Sequence, residues 1–385
     1  MDLKLFLDPV EPECLDDHLP GTSFQKSIFV NNEIMYDLDG IDIVVIGLTE
    51  YRGSVEVESG YPAAANEIRR KLYKLSRTSG NQRVLDLGNL RNGPSAAETT
   101  LRLQEVAAFL LNRGILPVII GGTHDLDLGQ YRAYEALEKL ITCLNVDARM
   151  DVHDEGLAGE SHIAAIFKHN PNFLFNYIHL AHQSYYVTEG QLAMMDKLYF
   201  EQIRLGEIRE NLSELEPVIR DADMMSFDLS AVNSQYMQAV EDPHVFGLSG
   251  EEACQICWYA GLNDKLSSMG LYGYNPDLDR DGFPGAEVVA TMIWYFIDGF
   301  YHRKGDKNFM SNDYLVYEVA LGGNPETIRF YKSKLSEKWW MEIPDNDSDS
   351  IFLRNKMIPC SYSDYELAGK GEIPARWMAA MNKMS

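Results

Sequence analysis

The sequence predicts an α/β fold: a three-layer α/β/α sandwich around a mostly parallel sheet, with a C-terminal extension. Three observations carry this reading. Short apolar runs alternate with longer runs of helical period from residue 41 to residue 304. The apolar runs are continuous rather than alternating, as in strands covered on both faces. Several of them stop at glycine or aspartate, where a loop begins.

The first strand is expected at 41–48 and the first helix at 62–76. A short strand at 84–87 precedes a helix at 95–113, whose apolar face carries Leu101, Leu103, Val106, Phe109 and Leu110. The run 116–120 is a strand ending in Gly121-Gly122, followed by a helix at 126–139. Strands at 141–146 and 173–180 follow, then a helix at 207–220 and a strand at 224–227. Ser249, with Glu252 three residues on, caps a helix at 250–262. A strand at 266–274 and a helix at 286–302 complete the pattern. Right-handed crossovers put all the strand C-termini along one edge, where ligand sites form.

The domain bounds read as an irregular segment 1–40, the α/β domain 41–304 and an extension 305–385. In the extension, 314–321 is expected as a strand and 324–340 as a helix with Pro325 in its first turn. An acidic loop at 345–350 and a short helix at 375–384 follow. Trp339, Trp340 and Trp377 have two readings. They are aromatic anchors for a protein partner or a second copy of the chain, or they pack the extension onto its own domain.

The formal charge of −24 lacks the basic footprint that nucleic acid requires, and it disfavours anionic membrane surfaces. The apolar runs are strand-sized, so no membrane insertion is expected, and the first residues lack the features of a signal peptide. The chain reads as cytoplasmic. Five cysteines form no disulfide framework and fit a reducing compartment. Cys254-Gln255-Ile256-Cys257 lies inside a helical run with no second pair to complete a zinc site, so it reads as buried helix cysteines.

Four stretches carry chemistry. They are Gly121-Gly122-Thr123-His124, Asp147-Ala148-Arg149-Met150-Asp151, Ser226-Phe227-Asp228-Leu229-Ser230 and Tyr272-Gly273-Tyr274-Asn275-Pro276. A single aspartate at a strand end is commonly a helix cap or a solvated loop acid. One histidine and three aspartates at successive strand ends make a site for a divalent ion, Mn²⁺ before Zn²⁺. Three adjacent carboxylates repel one another, so a metal, Arg149 or both must stand among them.

In this order and at these separations, the motifs resemble those of the arginase, agmatinase and formimidoylglutamase group of ureohydrolases, from about residue 41 to about residue 302. The resemblance implies an α/β/α sandwich and two Mn²⁺ ions that together activate water against a guanidinium or amidine carbon. It implies that His124, Asp147, Asp151 and Asp228 hold the first ion, and all four are present. The second ion would share Asp147 and Asp228 and add a histidine and an aspartate where this chain has Arg149 and Ser230. A substrate-contacting glutamate of the group falls at Gly273. Ser161-His162 corresponds to a Ser-His pair that helps in proton transfer. His162 and Asp151 are therefore the expected catalytic residues, and His153 a substrate contact.

The expected cofactor is at most one Mn²⁺, with no second metal. Arg149 is always charged and repels a cation. It is expected to lie across Asp147 and Asp228 in place of the second ion. On this reading the protein has lost its chemistry, or nearly so, and serves as a binding or scaffold component. The alternative is an active one-metal hydrolase of a C–N bond in a formimidoyl or related linear amidine.

Overall fold

The computed structural model describes residues 1–32, 37–53, 60–152, 158–306, 308–309, 311–323, 325–344 and 357–384, with side chains described at neither 158–160 nor 384. His153 and the acidic loop at 345–350 lie outside the described residues.

The main sheet is built from β1 (Leu7–Asp8), β2 (Phe29–Val30), β3 (Ile43–Leu48), β4 (Val84–Leu90), β5 (Leu116–Gly121), β6 (Ile141–Val146), β7 (Leu174–His182), β8 (Glu201–Arg204), β9 (Met224–Asp228) and β10 (Ser268–Tyr272). Its order is β1-β4-β3-β5-β10-β9-β6-β7-β8, with β2 also on β4. Among the described strands of this sheet only β1 runs antiparallel. The helices are α1 (Tyr61–Leu72), α2 (Ala96–Leu111), α3 (Asp127–Arg132), α4 (Ala158–Phe167), α5 (Glu189–Lys197), α6 (Leu205–Glu210), α7 (Leu215–Arg220), α8 (Gly250–Gly261) and α9 (Pro284–Tyr301).

Alternation along β3 explains why its sequence is apolar throughout. Ile43 and Val45 enter a core with α1, α8 and α9, while Val44, Ile46 and Leu48 enter a second core with α2. Both faces are dry, so both sets of side chains must be apolar. Pro117 is tolerated in the central strand β5 because pairing with β10 begins only at Val118. Cys257 is buried on α8, and burial pushes the Cys254 thiol up to about 12. Neither is poised as a thiolate, in line with the helix-cysteine reading.

Three expectations are corrected. Residues 1–40 are not wholly irregular, since they supply β1 and β2. The helix expected at 207–220 is two helices, α6 and α7, because Asn211 leaves helical dihedrals. Pro217 fits only in the first turn of α7. The helix expected at 126–139 contains only α3, which gives way to tight turns until Glu138 reverses the backbone at φ 46°.

The extension forms a separate antiparallel sheet, β11 (Tyr314–Ala320), β12 (Thr327–Ser333), β13 (Trp339–Glu342) and β14 (Met357–Cys360), covered by α10 (Tyr362–Gly369) and α11 (Ala375–Met384). The expected helix at 324–340 is therefore two strands. The deciding pattern is period two: Ile328 and Phe330 are buried, whereas Thr327 and Arg329 are exposed. Trp339 and Trp377 are buried in this unit's core, and the Arg220 guanidinium of α7 lies over the Trp340 ring at 4.3 Å. The three tryptophans thus face inward and pack the extension within this chain. No described helix is long and apolar enough to cross a membrane.

One buried ion pair ties α1 to β4. Arg69 donates from Nε and Nη2 to the two Asp86 oxygens at 2.8 and 2.9 Å, and Tyr73 Oη donates to Asp86 at 2.8 Å. Both side chains of the ion pair are almost fully buried. Removing one partner strands the other, so Arg69→Met is expected to destabilise the protein by about 3–5 kcal/mol. Urea unfolding measures this; a loss under about 1 kcal/mol would contradict it.

Candidate metal centre

The topology brings the four motifs together. Strands β5, β10, β9 and β6 are consecutive neighbours, and their C-terminal ends carry His124, Gly273, Asp228 and Asp147. After β5 the chain turns sharply through Gly121 and Gly122, both at positive φ. A Cβ on Gly122 would stand 2.9 Å from that of Leu48, so glycine is required by space as well as by dihedral. The Gly273 amide donates to Gly122 O at 2.9 Å and locks the β10 turn to the β5 turn.

Asp147 and Asp228 are held by the same local device. Each accepts the backbone N–H two residues on, Arg149 at 3.0 Å and Ser230 at 2.6 Å. Each directs its other oxygen to His124 Nδ1, at 3.5 Å from Asp147 and 3.1 Å from Asp228. His124 Nε2 lies 2.8 Å from Ser226 Oγ, which donates to Asp127 Oδ2 at 3.2 Å. With Ser226 as donor to Asp127, the neutral His124 ring would carry its proton on Nε2 and turn a free Nδ1 toward a cation; with no cation there, Nδ1 is protonated toward the carboxylates. The other oxygen of Asp127 is 2.9 Å from His162 Nδ1. His162 Nε2 then faces Asp151 at 3.5 Å.

The structure therefore brings together His124, Asp147, Asp151, Asp228 and His162. Ligand atoms of His124, Asp147, Asp151 and His162 all lie within 4.8 Å of one another. His124 Nδ1, Asp147 Oδ2 and His162 Nε2 are buried and have no hydrogen-bond partner among the described residues. Buried polar atoms that converge unpaired fit a cation. Sequence reasoning assigned no role to Asp127 or Ser226. Ser226 stands two residues before Asp228 on β9 and so shares its face, a signal that was present. Asp127 lies three residues after His124 and carried no pattern of its own.

Arg149 does not lie across Asp147 and Asp228, and that expectation is overturned. Only its backbone touches Asp147. Its guanidinium donates to Asp242 at 2.6 Å and stacks over Tyr186 at 4.3 Å. The aromatic face and the exposed carboxylate hold it outward, away from the buried acids. Ser230 serves Asp228 as a hydrogen-bond donor. Gly273 has φ 92°, and a Cβ there would sit 3.5 Å from Asp228 Oδ1. A glutamate at 273 would meet both backbone strain and charge repulsion.

Burial raises the Asp147 carboxyl to about 7, helped by the charges of Asp151 and Asp228. Burial opposes protonation of both histidines, but carboxylates override it. Asp147 and Asp228 hold His124 well above its ordinary value, and Asp127 brings His162 to about 9. Asp151 and Asp228 are burdened by burial, yet His162 and His124 respectively bring them below the usual range. The sign for stability is the same for His162 and Asp147, since both are raised. The contribution of His162 is complete below 6.5 and lost as pH rises through about 9; that of Asp147 is complete below 3.8 and lost through about 7. The melting temperature of chelator-treated protein is therefore expected to fall between pH 6 and pH 9, and a flat or rising profile would contradict this assignment of charge.

The arginase family model matches residues 41–298. Formimidoylglutamase of Staphylococcus haemolyticus is 24% identical over 293 residues, covering 71% of this chain and 92% of the relative. Formimidoylglutamase of Chromobacterium violaceum is 27% identical over 206 residues, 50% of this chain and 66% of the relative. Among solved structures, Trypanosoma cruzi formiminoglutamase with Mn²⁺ superposes with a TM-score of 0.64 at 22% identity, over 70% of this chain and 96% of that one. Bacillus subtilis formimidoylglutamase gives 0.65 at 18% identity, over 79% and 99%. The matched span runs from the first central strand to the last long helix and includes every strand end that carries the site; the chain belongs to the arginase family.

Proposed function

We propose that the protein is a metal-dependent hydrolase of a C–N bond in a linear amidine, with formimidoylglutamate the first substrate to test. The observation that carries this is the outward course of Arg149, which leaves the buried acids and inward-facing imidazoles free for a metal. The relatives named formimidoylglutamase support the substrate class.

A divalent cation held by His124, Asp147 and Asp151 would supply Lewis acidity, making bound water a stronger acid and polarising a C=N bond. The protein's own groups do the rest. Asp127, through Ser226 and directly, fixes the tautomers of His124 and His162. Asp228, whose oxygens lie 3.5 and 3.8 Å from where a side chain at 273 would begin, is the carboxylate that meets an amidinium. Its proximity compensates for the absence of a side chain at 273, and the pairing orients the amidine carbon.

A second reading, a binding or scaffold component without turnover, draws on Arg149, Ser230 and Gly273, which replace residues that the family resemblance implies. Assays decide between the two. Formimidoylglutamate, arginine, agmatine and guanidinobutyrate are incubated with protein and Mn²⁺, Zn²⁺ or Co²⁺, and release of the free amine or urea is followed. Turnover of the formimidoyl substrate is expected, with Asp228→Asn lowering kcat/KM by about 10²–10³-fold. No turnover with any ion would leave the second reading in place.

A further inference from the structure

We propose that His162 is a metal ligand rather than a proton carrier, so that one ion is held by His124 Nδ1, His162 Nε2, Asp147 and Asp151. This rests on the metal centre of the reading above and does not depend on turnover.

The geometry singles out His162. Its side chain is 1% exposed, and a buried ring exchanges protons poorly with solvent. Nδ1 is occupied by Asp127, and Nε2 is unpartnered and aimed at Asp151. This is the state of a ligating histidine, which almost always gives its other ring N–H to a carboxylate or carbonyl. His124 is arranged the same way, with Nε2 directed through Ser226 to the other oxygen of the same Asp127. One carboxylate thus aims two imidazoles at one point.

The distances agree with a common centre. His124 Nδ1 to Asp147 and His162 Nε2 to Asp151 are each 3.5 Å. Bonds of about 2.1 Å at tetrahedral angles separate ligand atoms by roughly 3.4 Å. Asp228 is not in the group of four whose ligand atoms lie within 4.8 Å of one another, although its free oxygen stands 3.1 Å from His124 Nδ1. The imidazole missing at position 149 is replaced by one that arrives from α4, on the Asp151 side. Two carboxylates neutralise a divalent ion, and two imidazoles move the preference from Mn²⁺ toward Zn²⁺ or Co²⁺.

The test uses the full chain, stripped with a chelator and reloaded with Co²⁺. X-ray absorption at the cobalt edge counts imidazoles, and elemental analysis counts ions. Two imidazoles and one ion per chain are expected. One imidazole, or two ions, would overturn the assignment, as would a protein that takes up no Co²⁺. His162→Ala is expected to weaken Co²⁺ binding at least 100-fold, and Asp127→Asn about 10–100-fold. Unchanged affinity in His162→Ala, with only kcat reduced, would return His162 to proton transfer. Should that variant misfold, the wild-type imidazole count still decides. Two imidazoles without amidine turnover would sink the hydrolase reading alone, and turnover with one imidazole would sink the ligand assignment alone.

Discussion

Three aspartates, Asp147, Asp151 and Asp228, crowd the strand ends around His124, and their mutual repulsion has to be met by positive charge. Without a metal, protonated His124 and His162 meet it, each oriented by the same buried Asp127; a bound cation would take that charge over from neutral rings. Much else follows from that arrangement. The glycine turns after β5 and β10 let the backbones approach. The matching backbone hooks at Asp147 and Asp228 fix where the carboxylates point. The sheet order makes neighbours of four strand ends that are distant in sequence.

The residues around this point leave room for a cation. Arg149 is drawn outward by Asp242 and Tyr186 and does not compete with a cation. Gly273 accepts a left-handed backbone and puts no side chain against Asp228. His162 brings a second imidazole from α4, its ring 4.3 Å from that of His124. On the assignment proposed above, the centre takes a single ion and one carboxylate is left to face a cationic substrate. The extension is a separate layer of structure, built on its own aromatic core and joined to the domain by the stacking of Arg220 on Trp340.

Most of the parallel sheet was legible in the sequence, because strands buried on both faces write themselves as unbroken apolar runs and end at glycine or aspartate. The same logic made His124, Asp147 and Asp228 visible. The role of Asp127 was not legible, since it depends on contacts with Ser226 and His162 that only the packed sheet and α4 create. The course of Arg149 was hidden for a related reason. Charge alone places it among acids, and only the positions of Tyr186 and Asp242 show which acid it meets. In the extension, a polar solvent face on β12 concealed a period of two, and Pro325 read as a helix start before a strand. The break between α6 and α7 came from a single non-helical residue, Asn211, which composition does not mark.

Anomalous diffraction from a crystal of the metal-loaded protein tests the central claim most directly. The account predicts one peak, bonded to His124 Nδ1, His162 Nε2, Asp147 and Asp151, with Arg149 still on Asp242. Two peaks bridged by Asp147 and Asp228, or a single peak with His162 beyond bonding distance, would contradict it.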